Sequence, residues 1–173
     1  MSPEAQTLYA EIAQILEYPD AHYGERVKNV GHLLEGRGNQ MKEGIARFSA
    51  FVSLAKCNAL EELYVQTFDV QSICCLDVGY VMFGEDYRRG QFMAQLKMLE
   101  NKHGIDCGSE LPDFLPNILR LMPALKYEEC AMLIEKIVGP AMDKMLQGFA
   151  TDGNVFREPL AVLREIIRED YGQ

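Results

Sequence analysis

The sequence predicts an all-α fold, an irregular single-domain helical bundle of about eight to ten helices over residues 1–173. Three observations carry this expectation. Apolar residues recur at helical steps through most of the chain, no segment alternates as a strand or closes as a hairpin, and glycines and prolines fall between the periodic segments. The chain is 173 residues long, within the range of one domain, and such a domain buries roughly 70% of the surface its unfolded chain exposes.

The elements follow in order. Ala5, Leu8, Tyr9, Ile12, Ile15 and Leu16 define a first amphipathic helix that stops at "EYPD", around Pro19. Tyr23, Val27, Val30 and Leu34 define a second, closed by Gly36 and Gly38; Met41, Ile45, Phe48, Val52 and Ala55 define a third. Leu60, Leu63, Tyr64 and Phe68 make a short fourth. The segment from Ile73 to Phe83 reads ICCLDVGYVMF, apolar on every side except Asp77, and so predicts a helix at the centre of the bundle. Phe92, Met93, Leu96, Leu99 and His103 follow, ended by Gly104. The linker "ELPDFLPNIL" (Glu110–Leu119) then leads into a helix carrying Leu115, Ile118, Leu119 and Met122. A further helix spans roughly Tyr127 to Val138 and is expected to break or kink at Gly139-Pro140, before Met142, Met145, Leu146 and Phe149. Leu160, Leu163, Ile166 and Ile167 form the last, with Pro159 in its first turn.

Charge and composition narrow the function. Twenty-six acidic against seventeen basic residues give a net charge of −9, which argues against a nucleic-acid surface and favours a basic partner. No apolar run approaches the ~20 residues needed to cross a bilayer, and the start "MSPEAQTLYAEIAQ" lacks the basic end and apolar core of a secretory signal, so a cytoplasmic location without membrane insertion is expected. Cys57, Cys74, Cys75, Cys107 and Cys130 form no CxxC pair, as expected of reduced, mostly buried thiols; a redox or metal role for Cys74 and Cys75 stays open.

Catalytic signatures are absent from the sequence. There is no GxSxG elbow, Walker loop or GxGxxG fingerprint. Glu100 and His103 have the Glu-x-x-His spacing of a di-iron bundle, yet neither His22 nor His32 supplies a second such pair. His103 with Cys107 would give two metal ligands, too few for a zinc site. The expectation is a protein that is not an enzyme and has no metal or cofactor of its own.

What remains is a surface for recognition. Tyr64, Phe68, Asp69, Asp77, Tyr80 and Phe83, with Glu110, Pro112, Asp113 and Phe114 of the linker, set aromatics beside acids, as suits a groove for a basic, apolar helical peptide. Met82, Met93, Met98 and Met122 would add adaptable apolar surface. Taken singly, each aromatic is more readily explained by the core, and each acid by a cap or solvation. Asp77 must be satisfied if its helix is buried: an internal arginine, the helix surfacing at that one position, or a guest arginine would each serve. Pro112 and Pro116 stiffen the linker, which either presents Asp113 and Phe114 to a ligand or merely ends one helix and starts the next, with Asp113 capping.

The segments "LYVQTFDV" (Leu63–Val70), "GYVMFGEDYRRG" (Gly79–Gly90) and "ELPDFLPNIL", preceded by "ILEYPD" (Ile15–Asp20), resemble the nitrate reductase delta-subunit family in order and spacing over roughly residues 8–125. The resemblance implies a cytoplasmic maturation chaperone for molybdenum enzymes, all-helical and without catalytic activity. Its partner would be the catalytic subunit of a molybdenum-containing oxidoreductase, held by its N-terminal segment, often a twin-arginine leader, until the molybdenum cofactor is inserted and the subunits assemble. On this reading Asp69, Asp77 and Asp113 take the guest's arginines and Tyr64, Tyr80, Phe83 and Phe114 its apolar side chains, while Arg88 and Arg89 are structural or client-facing. The chain would be a monomer or a domain-swapped dimer. Phe114 stands where the family carries His, and "QSICCL" follows "TFDV" where nitrate reductase members are often arginine-rich, which points to another client in the molybdenum superfamily. The alternative is a helical-bundle module binding a small cofactor such as a pterin.

Overall fold

The computed structural model describes residues 2–69, 74–149 and 153–172. Helix α1 (Pro3–Ile15) opens on Ser2, whose hydroxyl accepts the Ala5 N–H, with a proline at its first position. It ends where the sequence predicts. The carbonyls of Ile15 and Leu16 accept the hydroxyls of Tyr23 and Tyr64 at 2.5 and 3.0 Å. Two buried tyrosines thus satisfy carbonyls at a helix end that has no further turn to bond them.

Helices α2 (Tyr23–Leu33), α3 (Asn39–Leu54) and α4 (Cys57–Phe68) follow as the periodicity predicts. The next element does not. Helix α5 covers only Val78–Phe83, and Asp77 before it has extended backbone. Ile73 lies outside the described residues; Leu76 to Val78 pair instead with the proline linker. The Val78 N–H donates to the Asp113 carbonyl and the Leu115 N–H to the Leu76 carbonyl, at 2.8 and 2.9 Å, around an isolated antiparallel bridge between Asp77 and Phe114. Of the six helical residues only Val78 and Gly79 are buried, and Tyr80 is 44% exposed. An apolar run of that length suits a buried helix or an extended segment alike, and here the linker's free backbone groups decide for the extended one.

Helix α6 (Tyr87–His103) starts at Asp86, whose carboxylate accepts the Arg88 N–H, and stops at Gly104, which adopts φ +67°. Helix α7 (Leu115–Leu121) runs into a 3₁₀ turn (Met122–Ala124). Helix α8 (Tyr127–Leu133), a π-helical segment (Ile134–Val138) and α9 (Gly139–Gly148) form one continuous rod. Gly139-Pro140 therefore does not break the helix. The Gly139 N–H reaches back five residues to the Ile134 carbonyl, and the widened turn accommodates a proline that cannot donate. Helix α10 (Arg157–Tyr171) completes the fold. Among the described residues there is no strand.

Helix α1 lies against α2, α7 and α10, α3 packs on α2 and α10, and α9 rests on α10 and α5. Phe156 sits at the centre of an aromatic cluster, its ring 5.5 Å from Phe48 of α3 and 5.6 and 5.3 Å from Tyr64 and Phe68 of α4. Only Cys74 and Cys130 of the five thiols are buried, and Cys57 is exposed, so most are not core residues as expected. No helix among the described residues is long and apolar enough to cross a membrane.

Candidate functional site

Arg89 organises the site. Its Nε donates to Asp113 Oδ2 at 2.7 Å, and its Nη2 to Asp113 Oδ1 at 3.3 Å and to Asp77 Oδ2 at 2.9 Å. The guanidinium also stands 5.3 Å from the centre of the Tyr80 ring. Asp113 is fully buried, a position a carboxylate occupies only when paired, and the fork of Arg89 supplies two donors. Gly79 makes room for it: a Cβ there would stand 2.6 Å from Asp113 Oδ2. Gly79, Arg89 and Asp113 thus join the "GYVMFGEDYRRG" and "ELPDFLPNIL" segments physically. Asp77 has its carboxyl pushed up from the usual range by burial first and by Asp113 second, with Arg89 pulling the other way.

Beside this lock an open cavity of about 520 Å³ lies between the end of α1, α4, the Cys75–Asp77 strand-like segment and the linker. Tyr64, Phe68, Leu76 and Phe114 give it apolar walls, and Glu17, Asp69, Asp77 and Glu110 give it four carboxylates. Glu17 is paired with Arg120 at 2.6 Å and Asp77 with Arg89, whereas Asp69 and Glu110 are exposed and have no ion-pair partner among the described residues. The Tyr64 hydroxyl registers the field: burial raises its pKa most, and Asp69, Glu17 and Glu110 raise it further. Tyr18 packs edge-on to Tyr64, 5.6 Å between ring centres. A cation with an apolar stem would find wall and countercharge here together.

Six of the ten residues singled out from sequence, Tyr64, Phe68, Asp69, Asp77, Glu110 and Phe114, line this cavity. Four do not. Tyr80 stacks on Arg89, Phe83 packs edge-on to Phe92 under Arg88, Pro112 lies on the linker outside the lining, and Asp113 is sealed beneath it. Asp77 and Asp113 thus already hold an arginine of this chain; Asp113 is sealed from a guest, whereas Asp77 stays partly exposed at the cavity wall, and Asp113 caps no helix, since the N-cap of α7 is Phe114 without a side-chain bond. None of Met82, Met93, Met98 and Met122 lines the cavity; Met122 is core and Met98 points to solvent. Sequence reasoning missed Glu17, Tyr18, Cys75 and Leu76, while Leu111 belongs to the linker whose resemblance implied recognition. Glu17 and Tyr18 belong to the "ILEYPD" segment, which read only as a helix stop.

Fold and cavity define an all-α protein with an acid-rimmed, aromatic-walled recess. No protein-family model matches the chain. It is 26% identical over 162 residues, 92% of its length and 88% of the relative's, to a protein of Bacillus subtilis (strain 168) named as the nitrate reductase molybdenum cofactor assembly chaperone NarJ. Its fold superposes with a TM-score of 0.65 and 16% identity on a crystal structure of a protein assigned to redox enzyme maturation from Archaeoglobus fulgidus, covering 97% of this chain and 96% of that one. The sequence match agrees with the resemblance that the motifs carry: the chain is similar to a nitrate reductase assembly chaperone.

Proposed function

We propose that this protein is a dedicated cytoplasmic assembly chaperone that holds the N-terminal segment of a molybdenum-enzyme catalytic subunit until cofactor insertion and subunit assembly. The observation that carries this reading is the cavity's pairing of aromatic walls with two carboxylates, Asp69 and Glu110, that have no ion-pair partner among the described residues, in a chain similar to an assembly chaperone. A leader helix bearing arginines and apolar residues would lay its apolar face on Tyr64, Phe68 and Phe114 and its guanidiniums against those carboxylates. The role is binding, not turnover.

The test is calorimetric titration of the full chain with a synthetic peptide spanning the N-terminus of the catalytic subunit. Binding that is lost when Asp69 and Glu110 become Asn and Gln supports the reading; a peptide that binds the variant equally well removes it.

A further inference from the structure

A second recess has the opposite character. An open groove of about 740 Å³ is lined by Phe51 of α3, Leu63 and Gln66 of α4, Val155, and Arg47, Arg157 and Glu158. It shares Arg47, Arg157 and Glu158 with an adjoining cavity of about 210 Å³ between α3 and α10, whose lining adds Arg164 and Arg168. The two recesses form one trough. Four of the chain's nine arginines stand along it, in a molecule whose net charge is −9.

Among the described residues the trough has more guanidiniums than carboxylates. Against its four arginines they set three carboxylates, Asp143, Glu158 and Glu165. Arg157 is exposed and has no ion-pair partner among the described residues. Arg47 spends one donor on Glu158 at 2.8 Å and Arg168 one on Glu165 at 2.7 Å, with side chains 59% and 55% exposed. A guanidinium has five donors in a fixed fork, so each can accept a second carboxylate without giving up the first. Exposed pairs of this kind contribute little to stability, which leaves them available for exchange. The apolar end of the trough is also open, with Phe51 40% and the neighbouring Leu54 87% exposed.

We infer that this trough docks an acidic, apolar segment of a partner protein, its carboxylates on Arg47, Arg157 and Arg168 and its apolar side chains on Phe51, Leu63 and Val155. Three carboxylates in the wall disfavour a polyphosphate, whose charges are denser and cannot avoid them. The inference does not rest on the leader-binding reading. Helix α4 borders both recesses, with Tyr64 and Phe68 lining the acid-rimmed cavity and Leu63 and Gln66 the arginine trough.

Fluorescence anisotropy of the full chain tests it with a labelled amphipathic peptide of about 14 residues, Leu and Phe on one face and Glu on the other. The acidic peptide is expected to bind, to weaken with salt, and to lose about tenfold or more in affinity when Arg47 and Arg157 are both changed to Glu. Phe51→Asp, at an exposed position, should reproduce the loss with the helical spectrum unchanged. Binding of the catalytic subunit's N-terminal peptide should be unaffected by either variant, which separates this groove from the acid-rimmed cavity. Four results would each overturn the inference: no binding, equal binding to the Arg variant, tighter binding of an oligonucleotide than of the peptide, or concentration-dependent self-association abolished by the same substitutions.

Discussion

Asp113 and Asp69 look alike in the sequence, each an acid beside a phenylalanine in a family-like segment, and the fold gives them different work. Asp113 is sealed under Gly79 and held by Arg89, while Asp69 lines the cavity with no ion-pair partner among the described residues. Asp113→Ala should therefore cost about 2–4 kcal/mol of stability, since it takes the bidentate partner from a partly buried Arg89 and leaves it only Asp77, and urea unfolding will measure it. Asp69→Asn should leave the unfolding midpoint within about 0.5 kcal/mol of wild type and appear only in peptide binding. Gly79→Ala should destabilise by about 1–3 kcal/mol, because the buried carboxylate cannot retreat without losing Arg89; pairing it with Asp113→Ala should relieve part of that cost in a double-mutant cycle. The need of a buried acid for a partner was legible in the sequence. Which acid is buried was not, because that follows from a close approach between residues 34 positions apart, Gly79 and Asp113.

At the level of elements, periodicity located nearly all the helices, since each buries a stripe that repeats at helical spacing. It failed at residues 74–77, where an apolar run without period is extended because the linker's backbone offers it partners. At Gly139-Pro140 it left a break or a kink open, and a π turn carries the helix through without a break. Part of the cavity's wall was equally hidden: Glu17 and Tyr18 read as a helix stop and become lining only once α4 and the linker close around them. What ties these elements together is Phe156, fully buried between α3 and α4. Phe156→Ala should cost about 3–5 kcal/mol by chemical unfolding. Loosening Tyr64 and Phe68 along with it, the substitution should also weaken peptide binding at temperatures where the protein remains folded.

For the molecule as a whole, the core contains tyrosines whose ionisation burial opposes. Tyr9, Tyr23 and Tyr64 all have pKa values raised above the ordinary 10, with desolvation the largest cause in each. In the unfolded chain these phenols lose protons near their ordinary value; in the folded one they keep them. Above pH 10 the unfolded state therefore binds fewer protons, and stability falls as pH rises. Denaturation followed by tyrosinate absorbance should show the three ionising together with loss of helix, whereas a gradual, independent titration would mean that they are accessible in the folded state.

The proposed function belongs to the whole molecule too: we propose that this acidic helical bundle grips the basic tail of another protein between aromatic walls. Calorimetry with the N-terminal peptide of the molybdenum-enzyme catalytic subunit, run on the wild type and on the Asp69→Asn/Glu110→Gln variant, tests it most directly. The account expects exothermic binding that weakens by about tenfold or more in the variant while its thermal midpoint stays the same. Absence of heat with the wild type, or equal affinity for both, would contradict it.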